Sequence, residues 1–303
     1  MRTRKRMSIL AATGIAVLAT ATAGFAITNG QPDGNNHPYV GLMVALDEDN
    51  VPLWRCSGSL LSENAFLTAG HCTEPPAAHI EVWFAAGPVL TDLDYRAAVL
   101  ADPDGIVSCS ESVAFDSYPC VGDAGGTPRL NPSYCSSPCG NGLPGFAFRD
   151  VGMVDLSSDP VSTAIVDEYA DLPAAGTVDT LKNKTAIDFV GYGVSVQAPI
   201  PGSLLPQPPP FYRWTGPRER MYAPSQLVSG NFVHSAEFMR LALNPGGGSG
   251  GLCFGDSGGP DLLGGTDTVL AVNSYVTNVN CSGVGYASRV DISSLLSWIN
   301  GFL

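Results

Sequence analysis

Charge is scarce in this 303-residue chain: 14% of its residues are Asp, Glu, Lys or Arg, against 45% that are hydrophobic. Basic residues are scarcer still, 15 against 28 acidic, for a formal net charge of −13. So anionic a surface repels nucleic acid and acidic lipid, which excludes both as expected partners. No Cys-x-x-Cys pair occurs and no Cys/His cluster has zinc-site spacing, so no metal is expected. No internal repeat marks a duplicated unit. The low charge comes with enough apolar residue for the core of one large or two medium domains, which excludes a disordered chain.

What is present favours short strands. Glycine at 35 and proline at 24 punctuate aromatic and β-branched runs, a pattern of many strands and turns rather than long helices. The first 26 residues differ. Arg2, Arg4, Lys5 and Arg6 precede an apolar run from Ile9 to Leu18, and Ala21-Thr22-Ala23 and Gly24-Phe25-Ala26 both offer small residues at cleavage spacing. Residues 1–26 therefore read as a signal peptide for secretion. With its threonines and glycines counted, the apolar stretch reaches about 19 residues, which makes a membrane anchor the competing reading. Removing the leader leaves 11 basic residues against 28 acidic, a net charge of about −17. All eight cysteines follow the leader, an even number suited to disulfides in an oxidising compartment.

After Ile27-Thr28-Asn29-Gly30, strands are expected at Pro38–Leu46, Ile80–Phe84, Arg96–Leu100, Ala186–Val194, Met221–Val228, Phe238–Leu243 and Val269–Val276. A hairpin is expected where Ser59-Leu60-Leu61 and Ala65–Thr68 flank Ser62-Glu63-Asn64. From about residue 102 to 145 the texture turns to Gly, Pro, Ser and Asp, and reads as a loop insertion holding Cys109, Cys120, Cys135 and Cys139. Four cysteines allow three pairings. Cys109 with Cys120 and Cys135 with Cys139 is preferred. Ala198–Pro210 holds six prolines and reads as a surface loop. Asp291 before Leu295, Leu296 and Ile299 predicts a short capped C-terminal helix.

One stretch gives the others a purpose: Gly255-Asp256-Ser257-Gly258-Gly259-Pro260. A serine between glycines stands on a tight turn, its hydroxyl clear of neighbours and open to a close-lying substrate backbone. The pattern also satisfies Gly-x-Ser-x-Gly of the α/β-hydrolases, whose histidine follows the serine. Here the last histidine is His234, so that reading lacks its base. Upstream, Ala69-Gly70-His71-Cys72 ends a strand with a histidine pinned beside a cysteine, as a general base requires. Either Asp150 or Asp155, at the head of an apolar segment, could supply a buried acid. His71, Asp150 and Ser257 then run in the order histidine, aspartate, serine.

From Ile27 to the C-terminus the chain resembles the trypsin/chymotrypsin-like serine endopeptidases, in a secreted bacterial-type form. Leu67-Thr68-Ala69-Gly70-His71-Cys72 matches that family's histidine motif, Gly255–Pro260 its serine motif and Arg149-Asp150-Val151 its weaker aspartate motif. Gly191-Tyr192-Gly193 is similar to its Gly-Trp-Gly. The resemblance implies an all-β fold, two six-stranded antiparallel β-barrels with the active site between them and a short C-terminal helix, over residues 27–303. It implies Ser257 as nucleophile, His71 as base, Asp150 as the acid that orients it, and the N–H groups of Gly255 and Ser257 as an oxyanion hole. It also implies bridges Cys56–Cys72 and Cys253–Cys281, and an ion pair between Asp256 and a new amino terminus at Ile27. Family members usually carry a basic residue before that point. Here Gly24-Phe25-Ala26 precedes it, so signal cleavage after Ala26 would release the terminus directly.

Gly251, six residues before Ser257, takes the place where trypsin-like enzymes carry an acid at the pocket base. With no charge there, cleavage after Lys or Arg is not expected. Ser274-Tyr275-Val276 resembles the strand that binds substrate backbone, and Val276 in place of a common glycine narrows the pocket toward small or medium apolar residues. The sequence therefore predicts a secreted, monomeric serine endopeptidase acting on proteins or peptides without a cofactor, and free of the membrane once its leader is cut. The alternatives are a catalytically silent binding protein on the same fold and a protease tethered by residues 1–26.

Overall fold

The computed structural model describes residues 27–50, 52–87, 89, 122–136, 147–193, 196–199, 212–215, 219–243, 250–278 and 280–303. The leader, the strand expected at Arg96–Leu100, and Cys109, Cys120 and Cys139 lie outside the described residues. The chain enters through β1 (Gln31–Pro32). The next six strands are β2 (Val40–Leu46), β3 (Pro52–Ser62), β4 (Ala65–Thr68), β5 (His79–Trp83), β6 (Ala124–Leu130) and β7 (Gly152–Asp155). They close into an antiparallel barrel in the order β2-β3-β4-β7-β6-β5. Strand β2 lies between β3 and β5 and is buried throughout, which is why its sequence is an unbroken apolar run rather than an alternating one. The expected hairpin forms, with Ser62 opposite Ala65 around the turn.

The second half supplies β8 (Ala186–Gly191), a separate hairpin of β9 (Val196–Pro199) with β10 (Tyr212–Thr215), then β11 (Met221–Gln226), β12 (Phe238–Leu243), β13 (Pro260–Leu263), β14 (Val269–Val276) and β15 (Gly283–Arg289). Its sheet runs β1-β11-β8-β13-β14-β15-β12. Apart from the two-residue β1 it has six strands. It curls until its ends meet at a Leu227–Leu241 bridge, reinforced by the Val228 N–H donating to Arg240 at 3.0 Å. The interior packs Ile187, Phe189, Met239, Leu241, Leu270 and Ala271. The fold is thus all-β, with a closed six-stranded barrel, a curled partner sheet and one short C-terminal helix.

Three expectations need correction. The stretch read as a loop insertion contains β6, whose Gly125, Gly126 and Pro128 hide it from a propensity argument. Pro128 fits because β6 pairs with β5 only through residue 126 and with β7 from residue 127, so no neighbour on the β5 side needs the missing N–H. Ala198 and Pro199, expected in a loop, end β9 in its isolated two-stranded sheet. The helix α1 (Ser293–Ile299) forms with Leu295, Leu296 and Ile299 buried, but Asp291 does not cap it. That carboxylate instead accepts the Val178 N–H at 2.7 Å and the Arg289 guanidinium at 2.8 and 3.0 Å, partners better matched to a buried charge. Strands β13 and β15 carried no clear sequence signal; one begins at a proline, and the other begins at Gly283 and carries Gly285. Among the described residues no helix is long and apolar enough to cross a membrane.

Candidate active site

His71 sits on a single 3₁₀ turn, Gly70–Cys72, directly after β4. The turn is fastened by the Thr73 hydroxyl on the Gly70 carbonyl at 3.0 Å, by the Trp54 indole on the Cys72 carbonyl at 3.0 Å, and by the expected Cys56–Cys72 disulfide. Asp150 reaches the same place from the segment before β7. Its neighbour Arg149 takes φ of 52° and is tied by its guanidinium to Glu237 at 3.1 Å and Ser294 at 2.8 Å. The buried Asp150 carboxylate then meets three donors: the His71 backbone N–H at 2.8 Å, the ring Nδ1 at 2.9 Å and the Ser274 hydroxyl at 2.6 Å. Burial opposes its ionisation, yet the His71 charge and these hydrogen bonds hold its pKa below the ordinary carboxylate value. For His71, burial opposes protonation, but the charge and hydrogen bond of Asp150, with Glu74 further off, raise the imidazole pKa. Nδ1 is therefore the protonated nitrogen and Nε2 the one left to accept a proton.

The rival acid is placed elsewhere. Asp155 ends β7 and is bound to Arg129 at 2.9 Å and to the Ser157 hydroxyl at 2.7 Å. Cys56, His71 and Cys72 converge closely, but the two sulfurs are bonded to each other and are not thiolate ligands.

The serine turn comes from the other sheet, between the Cys253–Cys281 bridge and β13. Its backbone closes on itself through the Gly259 N–H on the Asp256 carbonyl at 2.9 Å, and Gly258 donates to Asn273 of β14 at 2.7 Å. Gly258 has φ of +77°, and a Cβ there would overlap Thr68 Oγ1 and the Ala69 nitrogen, so only glycine fits between the turn and β4. Ser57, on β3, stitches the turn to the first barrel. Its N–H donates to the Ser257 carbonyl at 2.8 Å, its hydroxyl donates to Gly255 at 2.9 Å, and that hydroxyl accepts the Tyr192 N–H at 2.9 Å. The Ser257 carbonyl oxygen lies 3.9 Å from Cys72 Sγ, next along the chain from His71. No hydrogen bond joins the Ser257 hydroxyl to His71 among the described residues. The N–H groups of Gly255 and Ser257 donate to no protein acceptor among the described residues, while those of Asp256, Gly258 and Gly259 all do.

Asp256 is fully buried, and its carboxylate accepts the Gly193 N–H at 2.8 Å and the Cys253 N–H at 2.9 Å. Ile27 is buried in the curled sheet, and Thr28 and Gly251 exchange backbone hydrogen bonds of 2.9 Å. In this uncut chain Ile27 has a peptide nitrogen and no ammonium to offer Asp256. Beside Ser257 lies a cavity of about 110 Å³ lined by Leu252, Cys253, Phe254, Asn273, Ser274, Tyr275 and Val276. Ser274 and Val276, both named from the sequence, are among its lining residues. Gly251 does not line the cavity; its pairing with Thr28 turns it to the side, and Leu252 takes the wall. Sequence reasoning missed Ser57 and Asn273, and saw Ser274 only as part of the pocket strand rather than as a donor to Asp150. Cys135 is disulfide-bonded to a partner outside the described residues.

No protein-family model and no curated protein matches this sequence. Among solved structures 789 chains match, so shape by itself names no substrate. HL collagenase is one of them, with a TM-score of 0.57 and 17% identity over 92% of this chain and 96% of that one. The fold is the trypsin-like one. At that identity the likeness is one of architecture, and the chemistry must be argued from the site.

Proposed function

We propose that this chain is a secreted serine endopeptidase that cuts peptide bonds through an acyl-enzyme, with no cofactor. The observation that carries the reading is one convergence. A half-buried His71 held by the buried Asp150 at the edge of the first barrel meets a serine turn whose Gly255 and Ser257 N–H groups have no protein acceptor among the described residues. Ser257 Oγ attacks the scissile carbonyl carbon while His71 Nε2 takes its proton, and Asp150 stabilises the imidazolium. The carbonyl oxygen, now negative, accepts the two free N–H groups, each typically worth about 10²–10³ in turnover. Collapse breaks the C–N bond, and His71 returns the proton to the leaving amine. Water then attacks the ester with His71 again as base, releasing the acid and restoring Ser257. A collagenase on the same fold, and disulfides that fit an oxidising compartment, support the reading.

Signal cleavage after Ala26 frees the Ile27 ammonium for Asp256 without a separate activating protease. N-terminal sequencing of the secreted, active protein tests this, and an active form beginning at Gly24 overturns it. The enzyme works as a monomer on protein or peptide chains and does not favour Lys or Arg before the scissile bond. Labelling by a fluorophosphonate, lost in Ser257→Ala, is the direct test. Correctly processed protein that is neither labelled nor hydrolytic is a silent binding module instead.

A further inference from the structure

A half-buried tyrosine that the chemistry above does not use contacts the chain on both sides of the base. Tyr134 follows β6, and its ring lies against Gly70, where an added Cβ would come within 2.7 Å of Tyr134 Cδ2 and 3.2 Å of Asp150 Oδ1. Glycine at that position is what lets the ring and the acid both close on the turn that carries His71. Past the base, the Tyr134 hydroxyl donates to Glu74 Oε2 at 3.0 Å. The tyrosine therefore spans the stretch from Gly70 to Glu74, with His71 between its two contacts.

Tyr134 is itself fastened to the segment that brings the acid. Its N–H closes a turn on the Asn131 carbonyl at 2.9 Å, and the next residue, Cys135, exchanges backbone hydrogen bonds of 3.1 and 2.9 Å with Phe148. Phe148 lies two residues before Asp150. One side chain thus ties the turn of the base to the approach of its acid.

We propose that Tyr134 is a positioning residue for His71: its ring holds the base turn against the Asp150 segment, and its hydroxyl fixes the Glu74 carboxylate as a second anion that supports the imidazolium. The inference rests on the protease reading. Glu74 is half-buried, and a carboxylate free to turn into water acts weakly on its neighbours. Held in place, it acts on the base as positive charge develops there, with no reorganisation at that moment. Burial opposes protonation of His71, and Glu74 joins Asp150 in outweighing it. Burial, with Asp150 and Glu74 nearby, also raises the Tyr134 pKa, so the phenol keeps its proton and remains a donor. Other charged groups on the elements around the turn are engaged: Arg55 of β3 lies near Gly255, Asp155 of β7 is held by Arg129, Arg149 by Glu237, and Asp256 of the serine turn by the Gly193 and Cys253 N–H groups.

The test compares the wild type, Tyr134→Phe, Glu74→Gln and the double variant. Each is read by the rate constant for fluorophosphonate labelling across pH, and by kcat and KM on a peptide that the wild type cleaves. Glu74→Gln should lower kcat by about two- to fivefold, the effect of one part-exposed charge, with KM unchanged because the lost support acts only as the base takes its proton. It should also move the acid limb of labelling to lower pH. Tyr134→Phe keeps the ring and should shift kcat and the limb in the same directions by less. In the double variant the limb should stay where Glu74→Gln alone puts it, because the hydroxyl acts through that carboxylate. A role in packing alone lowers the unfolding temperature and leaves the limb in place, so a limb unmoved by either single variant overturns the inference. So do limb shifts that add in the double variant. An enzyme that labels and cleaves with either of those results leaves the protease reading standing, whereas a protein that neither labels nor cleaves any peptide removes both.

Discussion

Asp150 stays ionised in a buried position because three donors meet it, and two of them belong to His71. Asp150→Asn keeps the shape but presents an amide to Nδ1, which favours the wrong imidazole tautomer. It should lower kcat by about 10⁴-fold with the fold intact, read by steady-state kinetics beside circular dichroism. The raised His71 pKa also has a direction. Its proton is held to a higher pH than the ordinary 6.5, and only the neutral ring can act as base. The acid limb of kcat/KM should therefore lie above pH 6.5, and a limb at or below that value contradicts the assignment. Asp261 behaves oppositely to a stabilising carboxylate. Its folded pKa lies well above 3.8, so the unfolded chain loses its proton first, and the burial that is tolerated below 3.8 destabilises increasingly as pH rises toward the folded value. Asp261→Leu should raise stability at pH 7 by about 1–3 kcal/mol, with the gain shrinking on acidification, as measured by urea unfolding at both pH values. The sequence showed two acids ahead of one apolar segment. The resemblance favoured Asp150 over Asp155; the burial and partners that physically separate the two are created only by the fold.

The serine turn is an element with little slack. Gly258→Ala puts a methyl into Thr68 and Ala69 and forces φ of +77° on a residue that resists it. A loss of at least about 1–3 kcal/mol is expected, with slower fluorophosphonate labelling. A turn that accepts alanine with neither effect is not packed against β4 as described. The turn was legible because its glycines and serine are adjacent in sequence. Strand β6 was not, since Gly125, Gly126 and Pro128 all argue against a strand, and what overrides them is the barrel's need for a neighbour between β5 and β7. Asp291 illustrates the same limit. Its place before an apolar periodic segment predicts a cap, but Arg289 and the Val178 N–H compete for it and win.

At the scale of the whole molecule, the site exists only because two sheets are held in register. Ser57 is one clamp. Arg220 is another: it is fully buried, paired with Asp33 at 3.0 Å, and donates to the carbonyls of Val40 at 3.0 Å and Phe84 at 2.9 Å in the first barrel from the head of β11. Arg220→Met leaves Asp33 as a buried charge without its guanidinium and should destabilise by about 3–5 kcal/mol in thermal or urea unfolding. Adding Asp33→Leu should recover part of that loss, because the unpaired buried charge is then gone while the uncapped carbonyls and the groups His37 and Asn35 that lose a partner remain. A double variant no better than the single one argues that the ion pair is not the clamp. Nothing in the Glu219-Arg220-Met221 sequence announces this role, since an isolated arginine ahead of a strand most often lies on the surface.

What the sequence determined by itself is local chemistry: the histidine and serine motifs, the strand-and-turn texture, and the even cysteine count whose bridges Cys56–Cys72 and Cys253–Cys281 form. These are legible because the residues that matter lie side by side or because a resemblance carries them. The tertiary structure decided everything that depends on two distant segments meeting: which aspartate faces His71, that Ser57 and Arg220 join the halves, that Gly251 turns from the cavity and Asn273 lines it. The physical reason is that burial and hydrogen-bond satisfaction belong to pairs of segments, and a single segment's sequence carries only its half of each pair.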